Sequence, residues 1–208
     1  MDTISNKSAK ILARITSYVF HPLIIPSIGM VMLFRSDSYL QLIPSKFKQL
    51  IFLVFFVSTF LIPTLTLALM ALSKRFNPAM REGRDRIVPL LFTASSYFMG
   101  YLLLARIPAS GVFRLLLLAS VIILVSLVII SFGWKISLHL SGAGGLLGGI
   151  IALAFRFGFN PWISITILLL ASGALASSRI ILEKHTPQQV YAGFGLSFMI
   201  EFLILFLV

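Results

Sequence analysis

The sequence contains no cysteine. A disulfide framework, thiolate chemistry and a cysteine metal site are therefore excluded. Charged residues are also scarce, at 11% of the 208 residues, and no polar stretch forms a separate soluble domain, a repeat or a low-complexity tail. A charge content this low is far below that of a typical soluble domain, so water is not the main solvent of this chain.

Apolar residues dominate instead, at 59% of the chain, and the mean hydropathy is +1.04. Seven apolar blocks are each about long enough to cross a hydrocarbon core of roughly 30 Å. They cover 15–34, 48–73, 89–106, 110–133, 136–156, 161–177 and 188–208. We predict an all-α, polytopic membrane helix bundle of six to seven transmembrane helices, forming a single integral membrane domain over 1–208.

The net charge of +11 has a simple membrane explanation. Lysines and arginines in the loops of a membrane protein face anionic lipid headgroups and set its orientation. The bilayer is therefore the expected partner, and nucleic acid is not. The first block contains Pro22 and Pro26 and is followed by no cleavage site, so we interpret it as a span rather than a signal peptide.

Three polar segments interrupt the apolar pattern, and all three fall on one face of the membrane if all seven blocks are spans. The first, 73–89, is rich in basic residues. Its Arg81, Arg84 and Arg86 directly precede a span that begins at Pro89, a favourable first-turn residue. Arginine side chains in that position can hold a phosphate bidentately.

The second polar segment, 133–149, is rich in glycine, which lets a neighbouring helix approach closely. Its His139 and Ser141 are not explained by packing. A helix that begins here can direct its free backbone N–H groups towards an anion, and the serine hydroxyl adds a donor.

The third polar segment, 177–193, contains Ser178, Arg179 and His185. Arg179 and His185 are six residues apart, too far for one straight helical stripe, and Pro187 supplies the break that lets them converge. Ionisable residues at such a position are candidates for function.

The three segments, in this order, resemble the motifs of the type 2 phosphatidic acid phosphatase superfamily, which includes lipid phosphatases and vanadium haloperoxidases. Its third motif, S-R-x5-H-x3-D, is matched by Ser178, Arg179 and His185, with Gln189 at the aspartate position. The resemblance covers 81–193 and implies a phosphatase with a histidine nucleophile that needs no metal or other cofactor.

The first two motifs match in part. The second, P-S-G-H, is here Leu140, Ser141, Gly142 and Ala143. The first, K-x6-R-P, is here Arg81, six residues, Val88 and Pro89.

The resemblance implies a role for each matched residue. His185 would attack phosphorus, while Arg179 and Arg81 would hold the phosphate and neutralise its charge. Hydrogen-bond donors to the phosphate are expected from Ser141, the Gly142 backbone and Ser178.

Three departures from the motifs change the expected chemistry. Ala143 cannot donate a proton, so the general acid is either absent or supplied by His139, one helical turn earlier. Gln189 can orient the imidazole of His185 by a hydrogen bond, but it cannot stabilise imidazolium as a carboxylate does. Val88 removes one phosphate-binding charge, which Arg84 or Arg86 can replace from the preceding turn.

The function that follows is a membrane lipid phosphatase-like protein that binds or hydrolyses a lipid phosphate or diphosphate. The alternative is a catalytically degenerate protein that binds or transports lipid phosphates. A transferase with metal-bound diphosphate on Glu82 and Asp85 is disfavoured, because the surrounding arginines repel a metal. The charge rule predicts that the site faces the cytoplasm, whereas most bacterial members of the superfamily act at the outer face of the inner membrane. Both orientations of a bacterial inner-membrane protein stay open, and so does the oligomeric state.

Two further ionisable residues lie inside apolar blocks. His21 precedes Pro22 and is expected to contact a neighbouring helix or a lipid path. Glu201 lies within the last block and is expected to be neutral, to be paired or to face a cavity, with Arg114 or His21 as the predicted partner.

Overall fold

A computed structural model describes residues 2–72 and 82–208, with side chains from Lys7 onward. The described residues contain no strand. The α-helices are α1 (Asp2–Val19), α2 (Ile25–Phe34), α3 (Ser45–Phe56), α4 (Ile62–Ala71), α5 (Ile87–Leu104), α6 (Gly111–Ser131), α7 (Leu138–Phe157), α8 (Trp162–Ile181) and α9 (Pro187–Leu207). Short 3-10 helices cover Tyr39–Leu42 and Arg84–Arg86.

Six helical segments in the described part of the chain are long and apolar enough to cross a membrane. They are Ser45–Ala71, Arg84–Leu104, Gly111–Ser131, Leu138–Phe157, Trp162–Ile181 and Pro187–Leu207. They correspond to the last six apolar blocks of the sequence. The prediction of an all-α membrane helix bundle is thereby confirmed.

The prediction that the block 15–34 forms one spanning helix is wrong. Helix α1 ends at Val19, and α2 begins at Ile25 and has only 10 residues. Pro22 and Pro26 explain the break, because proline has no N–H to donate and disfavours a helical residue before it.

The broken segment nevertheless follows α7 from one end to the other. Pro22 and Ile25 lie against Gly142, near the start of α7. Further along, the Tyr39 and Phe157 rings have centroids 4.7 Å apart at the end of α7. The chain therefore passes the length of α7 without a full-length helix.

Helices α3 and α4 are joined by a π-helix, Val57–Leu61, which has a local cause. In the i→i+5 pattern of a π-helix, the carbonyl of Ser58 would receive the N–H of residue 63, which is proline. The Ser96 hydroxyl supplies the missing donor, with an oxygen-oxygen distance of 2.6 Å. The span therefore continues through Pro63 with this carbonyl satisfied.

Helices α7 and α9 form the closest pair in the bundle. A Cβ atom on Gly144 or Gly148 would overlap the backbone of Phe194 or Phe198. Close approach through glycine is common in membrane helices. At the start of the pair, the Ser137 N–H donates to the Gln189 carbonyl at 3.2 Å. This packing brings the loops 132–137 and 182–186 together at one end of the bundle.

Candidate functional site

An inner cavity of about 330 Å³ lies between the helices. Most of its wall is apolar, and its basic and imidazole side chains come from the end of the bundle where the loops meet. Those side chains are Arg86, Arg179, His21, His139 and His185. We call this end the mouth of the inner cavity.

A second cavity, of about 500 Å³, lies outside the mouth between α1 and the end of α8. Its wall includes Lys10 and Arg14 from α1. Both cavities share His21, His139 and Arg179, which therefore stand between the outer and the inner space.

His185 is held in one orientation by its hydrogen bonds. Its Nδ1 lies 3.1 Å from Oε1 of Gln189 and 3.3 Å from the Lys135 carbonyl oxygen. The Thr186 N–H donates to the same Oε1 at 3.2 Å, which fixes the amide orientation. Because both neighbours of Nδ1 are acceptors, this nitrogen carries the proton, and Nε2 has the free lone pair.

His185 is also kept uncharged by its surroundings. Burial, followed by the positive charges of Arg86 and Arg179, lowers its pKa to about 4, although the hydrogen bond that it donates to Gln189 opposes the shift. Its imidazole is therefore neutral near pH 7.

Gln189 has a structural role in addition to its contact with His185. Its backbone N–H donates to the Thr186 hydroxyl, and its side chain accepts from the Thr186 N–H, so the pair forms a capping box at the start of α9. The helix cap thereby fixes the group that orients the imidazole.

The two arginines of the mouth are largely buried and only partly satisfied. Arg86 donates through Nη1 to the Ile136 carbonyl oxygen at 2.9 Å. The buried Nε atoms of Arg86 and Arg179 have no hydrogen-bond partner among the described residues. The pKa of Lys135, in the adjoining loop, is lowered by burial and by the charges of Arg86, Lys184 and Arg179, although the charge of Asp85 opposes the shift. The mouth therefore concentrates positive charge.

His139 and His21 complete the mouth. Their ring centroids are 5.6 Å apart with the rings nearly perpendicular, and His139 also hydrogen-bonds to the backbone of Ser17. Burial, followed by the charge of Arg179, lowers the pKa of His21. His21 comes from the turn between α1 and α2, far in sequence from the rest of the site.

The structure brings most of the predicted site residues together. The residues that line the inner cavity include Arg86, His139, Ser141, Gly142, Arg179 and His185. Gln189 lies behind the cavity wall and accepts a hydrogen bond from His185. Arg84 lies apart from it, and its Nε donates to the Phe132 carbonyl oxygen at 3.3 Å. Arg81 lies outside the described residues.

The predicted serine and glycine donors have structural partners. Ser141 and Ser178 donate their hydroxyl protons to the carbonyls of Ser137 and Ala174, at 3.0 and 2.7 Å. Ser178 is not part of the cavity wall, and Gly142 packs against Ile25. The arginines and histidines are therefore the principal polar groups of the mouth.

Glu201 lines the inner cavity deep in the bundle and is only 4% exposed. Its side chain lies against Gly145 and Gly149 of α7, with Tyr97 as an electrostatic neighbour. Arg114, one of its predicted partners, instead contacts Tyr101. The expectation that Glu201 faces a cavity agrees with this position.

Two features of the site were not expected from the sequence. His21 reaches the mouth because the helix breaks between α1 and α2. The only sign of this break in the sequence is a histidine followed by a proline within an apolar block. The selection of Arg86 over Arg84 depends on the short 3-10 helix that holds both. No family model, curated protein or solved structure matches the chain.

Proposed function

We propose that the protein binds the phosphate or diphosphate headgroup of a membrane lipid in the mouth of the inner cavity and hydrolyses it through His185. One observation carries the proposal: two arginines, one buried and one half-buried, and three histidines stand at one end of a cavity whose remaining wall is mostly apolar. An anionic headgroup and a hydrocarbon tail need these two environments side by side. The setting is an integral membrane protein, which we place in a bacterial inner membrane.

The proposed reaction uses the tautomer of His185. The Nε2 lone pair forms a bond to the terminal phosphorus. The bond that breaks joins this phosphorus to the lipid oxygen of a monophosphate or to the bridging oxygen of a diphosphate. Gln189 and the Lys135 carbonyl hold the Nδ1 proton. Arg86 and Arg179 neutralise the charge on the phosphoryl oxygens.

The leaving oxygen needs a proton, and Ala143 cannot supply it. His139 lines the same mouth and is the proposed donor in its protonated form, which a bound anionic headgroup would stabilise. Water then attacks the phosphohistidine and returns a proton to His139, which releases inorganic phosphate and regenerates His185. A diphosphate ester suits this site best, because its leaving group needs less help from an acid. No step requires a metal or another cofactor.

The second candidate is a protein that binds or transports lipid phosphates without hydrolysing them. It is favoured by Ala143 and by the hydroxyls of Ser141 and Ser178, whose protons are already donated within their own helices. Such a protein would keep the arginines of the mouth and their affinity for anions.

Phosphate release by purified protein in detergent distinguishes the two candidates. The substrates are a short-chain phosphatidic acid and a polyprenyl diphosphate, and the variants are His185→Ala and Arg179→Ala. We expect release that His185→Ala abolishes. The absence of release from every substrate, combined with lipid phosphate binding that Arg179→Ala weakens, would instead establish the binding protein.

A further inference from the structure

We propose that His21 is a further ligand-binding residue of the mouth and donates a hydrogen bond from Nε2 to the anion that Arg179 holds. This inference rests on the proposed function, since it concerns the same anion. It adds to the site a residue from the N-terminal part of the chain, outside the three polar segments.

The position of His21 supports a contact with the ligand. His21, His139 and Arg179 are the histidines and the arginine that line both cavities. A headgroup that moves from the outer to the inner cavity therefore passes His21. Its side chain lies close enough to Arg179 for the charge of the guanidinium to act on it.

The tautomer of His21 makes it a donor on the far side of its ring. Its Nδ1 accepts the backbone N–H of Leu23, with a nitrogen-nitrogen distance of 3.4 Å. A neutral imidazole with an acceptor at Nδ1 carries its proton on Nε2. Burial and Arg179 keep the ring neutral in the free protein, because they lower its pKa. Nε2–H is thus available to an anion without any change of protonation.

A purely structural role of His21 would require only the acceptor at Nδ1 and not the donor at Nε2. The turn at 21–25 uses Nδ1 as an acceptor and the His21 carbonyl as the acceptor of the Ile24 N–H at 2.9 Å. If the turn were the whole reason for histidine here, an acceptor at the Nδ1 position would suffice.

Two substitutions separate these roles. In His21→Asn, the side-chain oxygen takes the place of Nδ1, so the turn keeps its acceptor and the far donor is lost. In His21→Gln, the amide NH₂ takes the place of Nε2, so the far donor is kept and the acceptor of the turn is lost. The pair is therefore matched in size and polarity and opposite in function.

The experiment measures, for each variant in detergent, the dissociation constant of a dihexanoyl phosphonate analogue of phosphatidic acid, which the protein cannot hydrolyse, beside the melting temperature without ligand. We expect His21→Asn to weaken binding about tenfold, as the loss of a hydrogen bond to a charged group does. We expect His21→Gln to bind within about threefold of the wild type despite a lower melting temperature.

The reverse order of affinities, or equal affinities for the two variants, would overturn the assignment of His21. Arg179→Ala serves as the reference for the proposed function. If the wild type binds no better than Arg179→Ala, the proposed function fails, and this inference fails with it. If the wild type binds in an Arg179-dependent way and the two His21 variants do not differ, only the role of His21 is refuted.

Discussion

The two ends of the inner cavity differ in their ionisable groups, which are arginines at the mouth and one carboxyl group at the deep end. At the mouth, Arg86 and Arg179 have buried Nε atoms without a hydrogen-bond partner in the described part of the chain. At the deep end, Glu201 is packed against glycines of α7. Glu201 lies 14 residues after Pro187, which is about 21 Å along α9 at the helical rise.

This separation explains what each end can do. A glutamate beside the mouth would pair with an arginine and weaken the attraction of this end for an anion. Because Glu201 lies far from the mouth, the positive charge there is available to a headgroup. The burial of Glu201 is a separate cost to the stability of the fold. The mouth is thus suited to an external anion, and the deep end to an apolar tail with one hydrogen-bonding group.

The largest expected effect comes from a change that disturbs both ends together. Gly144→Ala places a methyl group on the Phe194 backbone and forces α7 and α9 apart. We expect it to lower the free energy of unfolding by about 3 kcal/mol, as overpacking does. Thermal melting in detergent measures the loss.

The matched control is Gly195→Ala on α9, where an added Cβ has open space around it. It should leave the melting temperature unchanged or raise it slightly, because alanine favours the helix. Similar losses of stability in both variants would mean that the α7–α9 contact does not hold the cavity together.

The next largest effect concerns the mouth alone. Arg86→Ala should weaken the binding of a short-chain phosphonate analogue of phosphatidic acid about thirtyfold, within the range for hydrogen bonds to charged groups. Arg84→Ala removes the same charge from the same 3-10 helix but outside the cavity, and it should change the affinity less than about threefold. Isothermal titration of the two variants gives the comparison. Equal losses would show that the net charge of this face, rather than the cavity, attracts the lipid.

A smaller effect follows from the titration of His185. Its pKa of about 4 in the folded protein lies below the ordinary value of 6.5, so the unfolded chain binds more protons between these values. The free energy of unfolding should therefore rise with pH from about 4 to 6.5 and then level off. His185→Gln should show a shallower dependence in melting experiments over the same range. Parallel curves would contradict the neutral, buried imidazole.

The smallest effect is expected at the deep end. Glu201→Gln keeps the shape and a hydrogen-bonding group and leaves the mouth untouched. The affinity for the same phosphonate analogue should change less than about threefold in a binding titration. A loss as large as that of Arg86→Ala would mean that the two ends of the cavity are coupled.

Much of the fold follows from hydrophobic patterning. Six apolar blocks became spanning helices, because a run of about 20 apolar residues has few alternatives in a bilayer. The prediction of a spanning helix in the first block was wrong, although this block contains Pro22 and Pro26. The length of an apolar run does not show whether a helix breaks within it.

The site was predictable to the extent that it is local in sequence. Arg179, His185 and Gln189 lie around one helix junction, so their proximity follows from the break at Pro187. Arg86 and His21 depend on tertiary packing. The choice among nearby arginines is made by the orientation of a single helical turn, and the position of His21 by the path of a broken segment along α7.

Photo-crosslinking tests the central claim, that a phosphate headgroup occupies the mouth with its tail in the inner cavity. A lipid phosphate with a diazirine in its tail is activated on the purified protein, and the labelled residues are identified by mass spectrometry. We predict labels on cavity-lining residues such as Leu146 and Ile150, suppressed by unlabelled lipid phosphate and by Arg179→Ala but not by an uncharged lipid. Labels confined to the outer, lipid-exposed surface and insensitive to Arg179→Ala would contradict the account.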